Sequence, residues 1–182
     1  MTDAQTPVAP PHRPVVLLVD DTPENLAVLG ELLQPQYRVR VANSGARALS
    51  VVASEPRPDL ILLDVMMQDM DGYEVITRLR ADPATRDIPV IFVTALDATE
   101  DERRGLELGA ADYIVKPISP PVVLARIRTQ LMLKSASNFL RGKSDLLEGE
   151  VARRTAEIQD LQDAMVLSMA SLAETRDNET GN

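Results

Sequence analysis

Leu60-Ile61-Leu62-Leu63-Asp64-Val65-Met66-Met67 is the stretch on which the fold turns. Its apolar run predicts a strand covered on both faces, as in a parallel sheet packed between helices. Asp64 then stands at the carboxyl end of that strand, the edge where open α/β sheets place their chemistry. Three other apolar runs end in reactive residues. Val15 to Val19 is followed by Asp20 and Asp21, Ile88 to Val93 by Thr94, and Tyr113-Ile114-Val115 by Lys116-Pro117. Four strand ends thus carry, in chain order, an acid pair, an acid, a hydroxyl and a lysine.

Between these runs the pattern is helical. Strands are expected at Val15 to Val19, Tyr37 to Val41, Leu60 to Leu63, Ile88 to Val93 and Asp112 to Val115. Thr22 is a suitable N-cap with Pro23 at the first helical position, and that helix must stop before Pro35. Asn43 or Ser44 caps a second helix that ends before Pro56. A third spans about Tyr73 to Arg80, and a fourth about Thr99 to Leu108 with Gly109 as its stop. A fifth starts near Ser119. Five strands alternating with five helices predict an α/β, doubly wound parallel sheet with right-handed crossovers.

From about Leu140 the period changes. Leu140, Ser144, Leu147, Val151, Arg154, Ile158, Leu161, Met165, Ser168 and Leu172 are separated alternately by four and three, a heptad seam. A lone stripe of this kind would lie in water, so a partner helix is expected, most simply a second copy of the chain; the alternative is one solvated helix folded back on its own domain. Arg154, two serines, Gly142 and Gly149 weaken it.

Composition narrows the function. A net charge of -9 argues against nucleic acid as a partner, because phosphates would be repelled. Cysteine is absent, which removes thiol nucleophiles and disulfides and fits a reducing cytoplasm. No stretch is long enough to span a membrane. Residues 1–14, rich in Pro, Ala and Thr, lack the apolar core of a signal peptide and read as a disordered tail.

In a doubly wound sheet the ends of strands one and three are neighbours, so Asp20, Asp21 and Asp64 are expected to share a small volume. Three close carboxylates need a cation. Hard oxygen donors with room for water suit Mg²⁺. Lys116 and Thr94 add a cation and a hydroxyl that can hold an anionic group. This set suits attack by a carboxylate on a phosphoryl group to give an acyl phosphate. Singly, each residue has a plainer explanation: a helix cap, acids favoured by a helix dipole, a loop Lys-Pro, an edge-strand aromatic that only packs. Jointly, at four strand ends in this order, they point to chemistry.

The pieces Leu-Val-Asp20-Asp21, Leu-Leu-Asp64-Val-Met-Met, Met-Asp71-Gly72-Tyr-Glu, Pro-Val-Ile-Phe-Val-Thr94-Ala95 and Gly109-Ala-Ala-Asp-Tyr113-Ile-Val-Lys116-Pro117 resemble the receiver domain of two-component response regulators. The resemblance implies a flavodoxin-like sheet of order 2-1-3-4-5, for which flavodoxin and a receiver protein are reference cases. It implies Asp64 as phosphoacceptor charged by a histidine kinase. Asp21, Asp64 and the Met66 backbone carbonyl would bind Mg²⁺, with Asp20 acting through water. Thr94 and Tyr113 would be the switch pair, and Lys116, in a cis bond to Pro117, would contact the phosphoryl group. Gln68 departs from the family, which usually has proline there, and leaves the loop's stiffness in question. The segment from Ser171 to Asn182 resembles the opening of an HD-GYP domain, a class of cyclic di-GMP phosphodiesterase, but stops before its first metal-binding histidine. The only histidine is His12.

The expected organisation is therefore a tail over 1–14, a receiver over 15–135, a coiled-coil linker over 136–175 and a truncated output-domain start over 176–182. The chain itself is expected to be no enzyme beyond handling its own phosphoryl group. Its expected partners are a histidine kinase, a second copy and an output domain. Two alternatives are a haloacid dehalogenase-like phosphatase and a non-phosphorylated pseudo-receiver. The first wants Asp-x-Asp after strand one, where this chain has Asp20-Asp21-Thr22-Pro23. The complete acid, threonine and lysine set argues against the second.

Overall fold

The computed structural model describes residues 13–95 and 99–179. Most of the expected N-terminal tail, through position 12, lies outside the described residues, as do residues 180–182 of the expected output-domain start. The elements are β1 (Val15–Val19), α1 (Pro23–Leu33), β2 (Arg38–Ala42), α2 (Gly45–Val52), β3 (Leu60–Leu63), α3 (Gly72–Ala81), β4 (Val90–Thr94), α4 (Thr99–Glu107), β5 (Asp112–Val115) and α5 (Pro120–Glu179). All strand pairs are parallel, and the order is β2-β1-β3-β4-β5. This is the five-stranded parallel α/β sheet expected from the apolar runs, in the flavodoxin-like order that the resemblance implied.

Side-chain alternation explains the layering. Leu17 and Val19 of β1 face a core shared with Val51, Ile61, Leu63, Val75, Ile76 and Phe92. Val16 and Leu18 face the other, with Leu29, Leu33, Leu62, Ile91, Val123 and Ile127. The three central strands are buried along their whole length. Each fully buried leucine or valine contributes roughly 1.5–3 kcal/mol.

Two strands are bounded differently from expectation, each starting and ending later. β2 begins at Arg38 because the Tyr37 N–H donates to the Leu33 carbonyl at 2.9 Å, closing the exit from α1. β4 begins at Val90 because the Ile88 N–H closes a turn onto Thr85 and Pro89 has no N–H to offer. The caps are as the residue types suggest. The Ser44 side chain accepts from the Arg47 N–H, and Asp71 accepts from Glu74. Gly109 ends the α4 region with φ +91.

The chain divides into two compact units, one ending at Lys134 and the other beginning at Ser135. In the first unit, the early part of α5 is held by Val123 and Ile127 in the core, by an Arg126–Asp112 ion pair, and by Lys134 Nζ donating to the Asp59 carbonyl at 3.1 Å. The second unit is helical from Ser135 to Glu179. Gly142 and Gly149 each cost about 1 kcal/mol, too little to end a helix supported on both sides. No described helix is long and apolar enough to cross a membrane.

Candidate functional site

Backbone pairing carries the functional residues to one edge of the sheet. The Asp64 N–H donates to Val19 O at 2.8 Å, the Lys116 N–H to Thr94 O at 2.8 Å, and the Asp20 N–H to Ala42 O at 3.2 Å. Asp20, Asp64 and Lys116 each stand one residue past a strand end. Lys116 Nζ then lies 2.9 Å from Asp20 Oδ2 and 2.7 Å from Asp64 Oδ2. One ammonium therefore bridges two carboxylates whose residues are only 3% and 6% exposed.

The two acids are not equivalent. Asp20 accepts from the Thr22 N–H at 2.9 Å and from Asn25 Nδ2 at 3.0 and 2.9 Å, besides Lys116. Burial opposes its ionisation, but the hydrogen bonds from Lys116, Asn25 and Thr22 outweigh that and hold its pKa below the usual carboxylate value. Among the described residues Asp64 accepts from Lys116 and, at 3.1 Å, from the Met66 N–H. Burial dominates there and raises its pKa above that of a free aspartate, despite the lysine. Burial also opposes the charge on Lys116, yet its hydrogen bonds to Asp64 and Asp20 raise its pKa. Of the two carboxylates bridged by Lys116, Asp64 is the less supported, and a raised pKa makes its oxygen the better nucleophile once ionised.

Asp21 stands apart from this trio. Its Oδ2 accepts from the Gln68 N–H at 3.1 Å, and it lines a cleft of about 430 Å³ with Thr22, Asn43, Ser44 and Asp69. Of the three acids expected to share this volume, two meet at Lys116, while Asp21 accepts from the loop after β3. Among the described residues no group of three metal-ligating side chains gathers. Thr94 is fully buried at the end of β4, the strand lying between those that carry Asp64 and Lys116. Tyr113 is 7% exposed and packs in the core that contains Phe92. The Lys116–Pro117 bond is cis.

Two participants were not anticipated. Asn25 sits in the first turn of α1, five residues past Asp20, where it clamps both carboxylate oxygens. The backbone N–H of Gln68 is the other, and only a residue other than proline supplies it. The loop it anchors also places Asp69 at φ 64. Gly72 is obligatory there, since a Cβ would fall 2.5 Å from Asp64 O and 2.9 Å from Val65 Cα.

Residues 16–128 match the response regulator receiver domain family. The chain belongs to that family. Over 167 residues it is 48% identical to a Vibrio cholerae serotype O1 protein named "Probable cyclic di-GMP phosphodiesterase", covering 92% of this chain and 38% of that protein. It is 40% identical over 149 residues to the response regulator PleD of Caulobacter vibrioides, covering 80% of this chain and 33% of PleD. The chain thus spans about a third of the length of these relatives. Among solved structures, the signal receiver domain of a histidine kinase from Syntrophus aciditrophicus superimposes with a TM-score of 0.60 at 35% identity, over 65% of this chain and 90% of that one. The Vibrio cholerae chemotaxis protein CheY4 gives 0.61 at 29% identity, over 64% and 98%.

Proposed function

We propose that this receiver is charged at Asp64 by a histidine kinase and passes its state through a dimeric helical linker to an output domain. The bridge from Lys116 to Asp20 and Asp64, at 2.9 and 2.7 Å, is the observation that supports this reading most directly. An Asp64 oxygen attacks phosphorus, the P–N bond of the phosphohistidine breaks, and the departing imidazole nitrogen keeps the electron pair. Lys116 faces the developing charge on the phosphoryl oxygens, and the Met66 N–H steadies the other Asp64 oxygen. Thr94 and Tyr113 form the switch pair that responds to the new charge.

The donor set fits Mg²⁺. Two buried carboxylates already converge on one cation, and every remaining donor is a hard oxygen. Asp21 and Asp64 would hold the ion with the Met66 backbone carbonyl, Asp20 acting through water. When bound, the ion supplies charge neutralisation at the phosphoryl oxygens. The Gln68 N–H competes with the ion for Asp21 Oδ2.

The receiver is assigned to 15–135, the linker to 136–175 and the start of an output domain to 176–182. The similarity to the Vibrio cholerae protein suggests a cyclic di-GMP phosphodiesterase as the output, in a cytoplasmic response regulator. On this reading the 182 residues carry the phosphoryl group and the switch. A small phosphodonor with Mg²⁺ adds one phosphoryl group by intact mass, and Asp64→Asn abolishes it. The same adduct on Asp64→Asn refutes the assignment.

A further inference from the structure

The seam of the second unit is bare. Leu140, Leu147, Val151, Ile158, Leu161 and Met165 are between 57% and 67% exposed. A stripe of this length on one helix calls for another helix of matching period. Charges beside the seam indicate which way that helix runs. Lys143 lies just before the seam residue Ser144, and Glu148 lies just after Leu147. Both are exposed, and neither has an ion-pair partner in its own chain among the described residues.

Resting on the dimeric linker proposed above, we infer that the stalk is a parallel, in-register pair in which Lys143 of each copy meets Glu148 of the other. In a parallel pair a residue preceding one core layer faces the residue five further along in the partner. Lys143 and Glu148 have that separation, so the symmetric dimer gains the contact twice. An antiparallel pair overlapping the whole seam from 140 to 172 sets Glu157 beside Glu157 and gives Lys143 no acidic neighbour. The parallel pair has no such repulsion at its rim. Its weak layer is Arg154, which falls in the seam. Glu150 accompanies it, accepting from Arg154 Nε at 3.0 Å, so the guanidinium enters the interface with its counter-charge.

The absence of cysteine permits a clean test on the full chain. Leu140→Cys and Ile158→Cys are made singly, checked by light scattering, and oxidised alone and as a mixture. The parallel pair gives a dimer that cross-links in each variant alone. A dimer that links only when the two variants are mixed, or that links in neither condition, overturns the orientation and leaves the dimeric linker standing. A monomer at high concentration overturns both. Independently, Lys143→Glu weakens the dimer by about tenfold and adding Glu148→Lys restores it, by exchange of two exposed pairs for repulsion. Failure of the double variant to recover also overturns the orientation. Arg154→Leu tightens the dimer; a looser dimer contradicts placing residue 154 in the seam.

Discussion

Replacing Lys116 with methionine keeps most of the side-chain volume and removes the one cation shared by Asp20 and Asp64. The two carboxylates, 4% and 7% exposed as side chains, then face each other with no counter-charge. Breaking a buried ion pair by deleting one partner costs about 3–5 kcal/mol. Asp20 keeps Thr22 and Asn25, so the loss falls on Asp64, which retains only the Met66 N–H. Lys116 is 21% exposed, so solvent softens the effect and the lower end, about 3 kcal/mol near neutral pH, is expected.

The pH dependence has a definite sign. In the parent, the raised pKa of Lys116 contributes stability throughout the range below the free lysine value and loses it as pH rises through the folded value. The lowered pKa of Asp20 contributes above the free aspartate value and loses that as pH falls through the folded one. Asp64 has the opposite sense, because its raised pKa makes ionisation unfavourable to the fold. Without Lys116 that pKa rises further, and the variant recovers stability as pH falls and Asp64 takes up a proton. Urea unfolding between about pH 5 and 8 reads the gap directly. A gap that is widest at the alkaline end and narrows towards acid is expected, and Lys116→Met with Asp64→Asn recovers most of the loss. A gap below about 1 kcal/mol, or one independent of pH, refutes the role of Lys116 as the internal counter-ion.

Gly72→Ala forces a methyl into the backbone of Asp64 and Val65 and should destabilise by about 1–3 kcal/mol in thermal or urea unfolding, with phosphorylation of Asp64 impaired alongside. Gly142→Ala and Gly149→Ala lie on an open helix surface where an added Cβ meets nothing, and each should raise helicity by circular dichroism and stabilise the stalk by roughly 0.5–1 kcal/mol. Gln68→Pro deletes the N–H that holds Asp21; isothermal titration should show tighter Mg²⁺ binding by about fivefold, the worth of one hydrogen bond near 1 kcal/mol.

The central strands were legible because parallel strands buried on both faces leave unbroken apolar runs, and Val15–Val19 and Leu60–Leu63 coincide with theirs. The edge strand β2 was displaced by one residue because its ladder competes with a turn closing α1 at Tyr37, and apolar character alone does not separate the two. Asp20, Asp64, Lys116 and Thr94 were readable as strand-end residues. That Asp20 and Asp64 share Lys116 while Asp21 turns to Gln68 depends on loop backbone geometry, which residue type encodes weakly. The Gln68 N–H is a main-chain donor, visible in sequence only as the absence of proline. The change of period near Leu140 was legible, because within α5 burial gives way to a solvent-facing stripe with no break in helix-forming residues.

Borohydride reduction after incubation with a phosphodonor and Mg²⁺ converts an aspartyl phosphate to homoserine, and peptide mapping then reads the position. Homoserine at residue 64 and nowhere else is the predicted result. Label at Asp20 or Asp21, or none at all under conditions where the protein remains folded, would contradict it.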